Sequence, residues 1–446
     1  MTDPRPGLLV VNAMEIATLA GGIRRGSSQA ELALIGADSS STAGGSSGPT
    51  VAVFEGRIVA VGRREEVDRR LAEMGVDAGA LAVIDAHGGT VTPGLIDPHT
   101  HLVFGGDRHA EVELRQRGVP YLDILAAGGG ILQTVRQTRA ASDDELLDHG
   151  RRWLAEMLSH GVTTVEAKSG YGLDVDTELR QLDICARLGR EGPLDVIPTF
   201  LGAHAVAPEF RDGPDATNAY IDSVINDQLP AVVAQGVATS CDVFCERGVF
   251  EAPAARRLLE AARDAGLAVR LHADELHPSG AAELAADLGA LSADHLAAVS
   301  DDGIDAMAAA ADAGRPVVAT LLPATTFFLM SQHYAPARTL IERGVPVALG
   351  TDFNPGTSPT ANAQLVMSIA CLQLKLTPAE ALAAMTVNAA AALGVSDSAG
   401  SIEEGRPADL VVWDVPSHRQ LPYWFGAGNL VRTVIKRGRV VLDRAG

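Results

Sequence analysis

From Leu95 to Asp352 the chain repeats one unit, a short apolar run followed by a segment of helical periodicity. The runs lie at Leu95-Ile96-Asp97, Thr163 to Ala167, Val196 to Leu201, Cys241 to Cys245, Ala268 to His272, Leu291 to His295, Pro316 to Thr320 and Pro346 to Asp352. Helical segments such as Ala252 to Ala265 and Asp301 to Ala313 separate them. Apolar runs of roughly four to eight residues read as buried strands, and strands alternating with helices make a parallel sheet. Eight such units in roughly 300 residues predict an α/β fold, a (β/α)8 TIM-type barrel.

The two ends of the chain carry a different pattern. Gly7 to Asn12, Thr50 to Phe54, Arg57 to Gly62 and Ala82 to Ala86 read as strands, the middle two forming a hairpin about Glu55-Gly56. Residues 63 to 80 read as helix and loop. Ala408 to Trp413, Val431 to Lys436 and Arg439 to Leu442 return to β. The expected division is residues 91–395 as barrel, with 1–90 and 396–446 forming a small β-sandwich domain built from both chain ends. The Ser/Gly-rich segment 36–49 reads as a flexible surface loop. Two capping boxes mark helix starts, Ser142 with Glu145 and Thr377 with Glu380, the second with Pro378 at the first helical position. The first of these helices is expected to stop at Gly161. The second is expected to run through an Ala-rich stretch to Gly394.

A parallel barrel keeps its chemistry at the C-terminal ends of its strands. There the sequence places His99 and His101, then His204, then His272, Asp274 and Glu275, then Asp294 and His295, and finally Asp352 and Asn354. His99 and His101 alternate along an extended segment and so face one side. Taken alone, a strand-end histidine is more often a hydrogen-bonded structural residue, and Asp352 alone reads as a helix cap. Their common placement favours a metal site: His99, His101, His204, His272, His295 and Asp352 offer the nitrogen and carboxylate ligands that zinc or iron prefers.

Composition narrows the partners. The 446 residues are 47% hydrophobic but only 4% aromatic, so the core must be built from Ala, Val, Leu and Ile. A net charge of −20 disfavours nucleic acid and anionic membrane as partners. The four cysteines do not form a disulfide framework; Cys241 and Cys245 read as core thiols on a strand. No apolar run reaches membrane-spanning length and no basic-then-apolar leader opens the chain, so a cytoplasmic protein is expected.

These residues resemble the amidohydrolase superfamily. The resemblance covers nearly the whole chain: PGLIDPHTH on the first barrel strand, histidines on the fifth and sixth, aspartate on the eighth, and SIEEGRPADLVVWD at the return to β. The long segments HLVFGGDRHAEVELRQRGVPYLDILAAGGGI, KSGYGLD, FLGAHAVAPEF, LHADE and GTDFNPGTSP are similar to the branch that opens an imidazolone ring bearing a propanoate tail. The resemblance implies a metal-dependent hydrolase barrel holding one divalent ion, zinc or iron, on His99, His101, His272 and Asp352. It implies Glu275 and His295 as the catalytic acid/base pair. It implies substrate contacts from Arg108, Tyr121, Tyr171, His204, Glu275, Asn354, Gly356 and Thr357. The expected reaction is hydrolysis of the ring amide to an N-formimidoyl amino acid. Arg108 is the expected partner of the substrate carboxylate, because a guanidinium grips a carboxylate through two parallel bonds. Lys168, in KSGYG, reads as structural or as a support behind the ligands rather than a bridge, which favours one metal over two. A homodimer is a family-level expectation.

Two rival readings remain at this point. Another cyclic-amide hydrolase or a deaminase of the same superfamily shares fold and metal, but a base deaminase has no evident need of Arg108. A non-catalytic metal- or ligand-binding protein would need neither Glu275 nor His295.

Overall fold

The computed structural model describes residues 6–36, 48–119, 129–213, 215–426 and 430–444. Seven strands come first: β1 (Gly7–Val11), β2 (Glu15–Ala17), β3 (Leu34–Gly36), β4 (Pro49–Phe54), β5 (Arg57–Arg63), β6 (Ala82–Asp85) and β7 (Thr90–Pro93). Eight more follow, each leading into helical segments: β8 (Leu95–Asp97), β9 (Val162–Lys168), β10 (Asp195–Ala203), β11 (Ser240–Cys245), β12 (Ala268–Ala273), β13 (Ser292–His295), β14 (Val318–Leu321) and β15 (Val347–Leu349). The last three are β16 (Leu410–Trp413), β17 (Val431–Lys436) and β18 (Arg439–Asp443).

Strands β8 to β15 pair in sequence order and in parallel. The ring closes just beyond its first and last strands: Asp352 N donates to His99 O at 3.0 Å and His101 N to Phe353 O at 2.8 Å. This closure matters for function, because it stitches His99 and His101 to the segment carrying Asp352. The barrel predicted from the alternating pattern is therefore present. The Ser142–Glu145 capping box is formed, and its helix, Asp143–Ser159, ends before Gly161. Gly161 has φ +88°, and a Cβ there would meet Trp413 at 2.9 Å, so both conformation and packing require glycine.

The remaining strands make two sheets, ordered β5-β4-β1-β6 and β18-β17-β16-β7-β2-β3. Only the six-stranded sheet mixes the two chain ends; the four-stranded one is N-terminal throughout. Leu8, Val10, Val51 and Val53 of one sheet pack with Ile16, Val91, Leu410 and Val412 of the other. The opposite face of β16, Val411 and Trp413, belongs to the barrel core. So β16 is buried on both faces, which is why it reads as an unbroken apolar run rather than an alternating one. Strands β2, β3 and β7 escaped the sequence reading; β7 is defined by pairing with β16 from the far end of the chain, and β2 by pairing with β7.

The expected single helix after Thr377 is two, Pro378–Ala384 and Val387–Ala392. Thr386 breaks it, with φ −132° and ψ −99° and its hydroxyl donating to Leu382 O at 2.6 Å. Asn388 then bonds Arg24 O, Gln29 Oε1 and Val347 O, fastening this region to an N-terminal segment. An Ala-rich pattern carries no trace of such long-range bonds. Of the Ser/Gly-rich segment, residues 37–47 lie outside the described residues, while Gly36 and Pro49 belong to β3 and β4. No helix among the described residues is long and apolar enough to cross a membrane.

Candidate metal centre and active site

The first two ligand candidates are set by the residue between them. Thr100 N donates to Glu166 Oε2 at 3.1 Å, and its hydroxyl donates to Glu166 O at 2.6 Å. With Thr100 tied to the barrel wall, His99 and His101 turn to the other side. Both Nε2 atoms meet Asp352 Oδ1, at 3.5 and 3.4 Å. His272 Nε2 lies 3.4 Å from His101 Nε2. Asp352 is positioned by Thr325, whose hydroxyl donates to Oδ2 at 2.6 Å. All four residues are buried.

Behind the histidines stand two carboxylates. Asp294 Oδ2 is 2.6 Å from His99 Nδ1, and Asp242 Oδ1 is 3.0 Å from His272 Nδ1. A carboxylate can only accept, so each Nδ1 carries the proton and each Nε2 presents a lone pair inward. Lys168 joins these supports: its Nζ is 2.7 Å from both Glu166 Oε1 and Asp242 Oδ2, and 3.9 Å from Asp294 Oδ2. Arg270 Nη2 adds 3.3 Å to Asp294 Oδ2 and 2.7 Å to Pro98 O. Asp242, Glu166 and Thr325 were not singled out from sequence as part of the site, and Asp294 was placed at its strand end without a role. A signal existed, since carboxylates inside apolar strands such as CDVFC must find a buried partner.

The electrostatics suit a cation. Burial, followed by the Lys168 charge, drives His99 well below the usual imidazole range. Burial also lowers His101, His204 and His295, so these rings stay neutral and able to donate electron pairs. Burial alone would raise Asp352, but the hydrogen bond with His101 and the nearby His295 hold it below the usual carboxylate range. Asp242 likewise resists burial, held well down by Lys168 and His272. His99 Nε2 is buried without any hydrogen-bond partner. A buried orphaned nitrogen is costly unless something fills its place. Three overlapping triads meet the spacing of a metal site, with donor atoms within 4.8 Å: His99, His101, Asp352; His101, His204, His272; and His99, His272, His295. The residues fit a divalent ion.

Glu275 and His295 flank this centre, with Glu275 Oε1 3.7 Å from His295 Nδ1. Burial, with the Asp352 charge adding to it, pushes the Glu275 carboxyl up to about 8. Three of the residues here, Asp274, His295 and Asp352, hold left-handed backbone at φ +48°, +73° and +51°. Such conformations persist where the surroundings impose them, and they cluster at active sites. A recess open to solvent leads from Glu275 and His295 past Thr325 to Leu329 and Tyr334.

The predicted substrate contacts fall in two groups. His204 stacks on His101, centroids 4.8 Å apart at 16°, and Tyr171 tilts against both rings. Arg108 lies across Gly356: a Cβ on Gly356 would come within 1.0 Å of its Nη2. The Arg108 side chain is 7% exposed, its Nε has no hydrogen-bond partner, and Glu111 Oε2 stands 3.8 Å away. Asn354 is spent on its own loop, its Oδ1 accepting from Gly356 N and Thr357 N at 2.8 Å each. Tyr121 lies outside the described residues.

Residues 90–441 match the model of the amidohydrolase family. The imidazolonepropionase of Alkaliphilus metalliredigens (strain QYMF) is 52% identical over 362 residues, 81% of this chain and 84% of that protein. The imidazolonepropionase of Symbiobacterium thermophilum is 48% identical over 437 residues, 98% of this chain and 97% of that one. Among solved structures, a zinc-bound adenosine deaminase from Xanthomonas campestris superposes with a TM-score of 0.64 at 22% identity, over 99% of this chain and 94% of the other. That likeness speaks to the fold alone.

Proposed function

The chain belongs to the amidohydrolase family, and from that premise we propose that it opens the ring amide of 4-imidazolone-5-propanoate with water, releasing N-formimidoyl-L-glutamate. It is a hydrolase acting on a carbon–nitrogen bond, as its imidazolonepropionase relatives are by name. The observation that carries the reading is the cluster of His99, His101, His272 and Asp352 beside Glu275 and His295, in a chain about half identical to those relatives over most of its length.

His99, His101, His272 and Asp352 would hold one divalent ion, zinc or iron. A bound divalent ion lowers the pKa of coordinated water and polarises a carbonyl. Glu275 takes the proton from the attacking water and returns it to the ring nitrogen as the carbon–nitrogen bond breaks. Burial and the Asp352 charge raise Glu275, and an ion held by Asp352 would offset the second of these and favour the carboxylate form that accepts the proton. His295 donates to the oxyanion that develops on the ring carbonyl. Arg108, buried and with its Nε unpartnered, receives the propanoate carboxylate. Tyr171 and His204 line the ring, Tyr121 is kept as a further contact on the family resemblance alone, and the Asn354-Pro355-Gly356-Thr357 loop supports Arg108.

In this reading residues 91–395 are the catalytic barrel, with 1–90 and 396–446 as the sandwich beside it. The protein works in the cytoplasm as a homodimer, with neither nucleic acid nor membrane as partner. The test is turnover of freshly prepared imidazolonepropanoate, followed as loss of ultraviolet absorbance with formiminoglutamate identified as product. Activity in metal-loaded protein that disappears on chelation and in Glu275→Gln is expected. Metal-loaded protein without turnover would refute the substrate.

A further inference from the structure

Proton transfer rests on Glu275, yet among the described residues no hydrogen bond holds its carboxyl; its ionic partner is His295 Nδ1 at 3.7 Å. Its position must come from the main chain on either side. On one side is Asp274, in left-handed conformation, with its carbonyl accepting from Ala298 N at 2.7 Å. The Asp274 carboxylate accepts from Ser279 N at 2.6 Å and from Ala281 N and Ala282 N at 3.3 and 3.0 Å, which ties it to the start of the helix Ala281–Leu288.

On the other side is Glu246, the residue after β11, 1% exposed. Its own backbone is pinned by Phe250 O, which accepts from its N at 3.1 Å. Its Oε2 accepts from Leu276 N at 2.9 Å and His277 N at 3.4 Å. Its Oε1 accepts from Arg247 N at 2.9 Å, and from Ser279 Oγ and His277 Nδ1 at 3.1 Å each. Every partner is a donor, and a carboxylate supplies only acceptors. An amide in the same space would set its NH₂ against these donors.

We infer that Glu246 is a positioning residue for the reaction: from the end of β11 it clamps the loop after β12, and so holds Glu275 at the reacting centre. The inference rests on the reading of Glu275 as the proton carrier. Glu246 bonds none of the metal-ligand candidates, so its effect is separable from metal binding.

The test is Glu246→Gln, which keeps size and shape. Removing a partner that orients an active group typically costs roughly 10- to 100-fold, and misplacing a reacting group by about 1 Å costs a similar factor. The expected result is a kcat lower by about 10- to 100-fold, with KM within about threefold and metal affinity, read by chelator competition, unchanged. Faster amide hydrogen exchange at Leu276 and His277 should accompany it. A kcat within about twofold of wild type in folded, metal-loaded protein would overturn the inference, as would a loss of kcat that simply tracks loss of metal. Should Glu246→Gln fail to fold, Ser279→Ala removes the hydroxyl that meets Glu246 Oε1, together with its contacts to Arg247 N and His277 O, and should lower kcat several-fold at unchanged KM; no change would overturn the clamp. If wild type itself fails to turn over imidazolonepropanoate, the functional reading falls. Exchange at Leu276 and His277 in Glu246→Gln then still decides the clamp, since unchanged exchange would remove it.

Discussion

The Lys168 ammonium lies 2.7 Å from Asp242, and the other oxygen of that carboxylate lies 3.0 Å from His272 Nδ1. One buried cation thus stands two bonds away from a metal-ligand candidate, and through Glu166 it also reaches the backbone between His99 and His101. Lys168→Met would strand two buried carboxylates. Breaking a buried ion pair from one side costs about 3–5 kcal/mol, and loss of an orienting partner weakens metal binding about 10- to 100-fold. Thermal unfolding and chelator competition on the purified variant check both. Unchanged metal affinity would show that the Asp242 contact does not orient His272.

Glu275→Gln keeps the shape of the pocket and removes the proton acceptor. General acid–base groups contribute about 10²- to 10⁴-fold, so kcat should fall by that factor while the protein still binds one metal per chain. Metal content by elemental analysis, measured beside kcat, separates loss of chemistry from loss of the ion. Retained turnover would move proton transfer to His295 or Asp352.

Arg108 and Gly356 form one unit, because the guanidinium lies where any Gly356 side chain would go. Arg108→Met should raise KM for the carboxylate-bearing substrate by about 10- to 100-fold, the worth of a bidentate charge-assisted contact of roughly 1.5–3 kcal/mol. Gly356→Ala should raise KM in the same direction by displacing Arg108, with metal affinity untouched. Steady-state kinetics on both variants provide the check, and unchanged KM in Arg108→Met would count against a substrate carboxylate at this place.

His149 gives a pH signature away from the site. Burial, with Arg152 adding to it, depresses its imidazole to about 4, and its Nε2 has no hydrogen-bond partner beside Phe104. The folded state therefore holds it neutral, while the unfolded state takes up a proton below its usual value of about 6.5. Stability from this residue is present above about pH 6.5 and is lost as pH falls toward 4. Allowing for partial exposure, the loss is on the order of 1–2 kcal/mol. His149→Phe should flatten that limb of the stability curve. Denaturant melts at pH 7 and 5 measure it, and an unchanged slope would refute the assignment.

Metal removal should act on stability as well as on activity. The inward-facing nitrogens of His99, His101 and His272 gain a common partner only when an ion is bound. A ligand that binds only the folded state stabilises by about 4 kcal/mol at a thousandfold its Kd. The melting temperature should therefore rise with the logarithm of added zinc or iron and fall on chelation. A melting temperature indifferent to both would argue against a site on these residues.

The barrel and its polar strand ends were legible because they are local. A buried parallel strand must be apolar, its end must turn, and His99 and His101 alternate by strand geometry alone. Both capping boxes form for the same reason: each needs only four consecutive residues. The break at Thr386, the three short strands β2, β3 and β7, and the division of the end strands into two sheets were not legible. Each depends on bonds between residues far apart in the chain, such as Asn388 with Arg24.

Read from the sequence, the ends of five of the eight barrel strands carry histidines or carboxylates, and a parallel barrel brings those ends to one mouth. Which way His99 and His272 present their lone pairs was settled only on folding. That choice lies with Asp294 and Asp242, and with Lys168 and Arg270 behind them. Those partners come from β9, β11, β12 and β13, strands separated by whole helices and brought together only when the barrel closes.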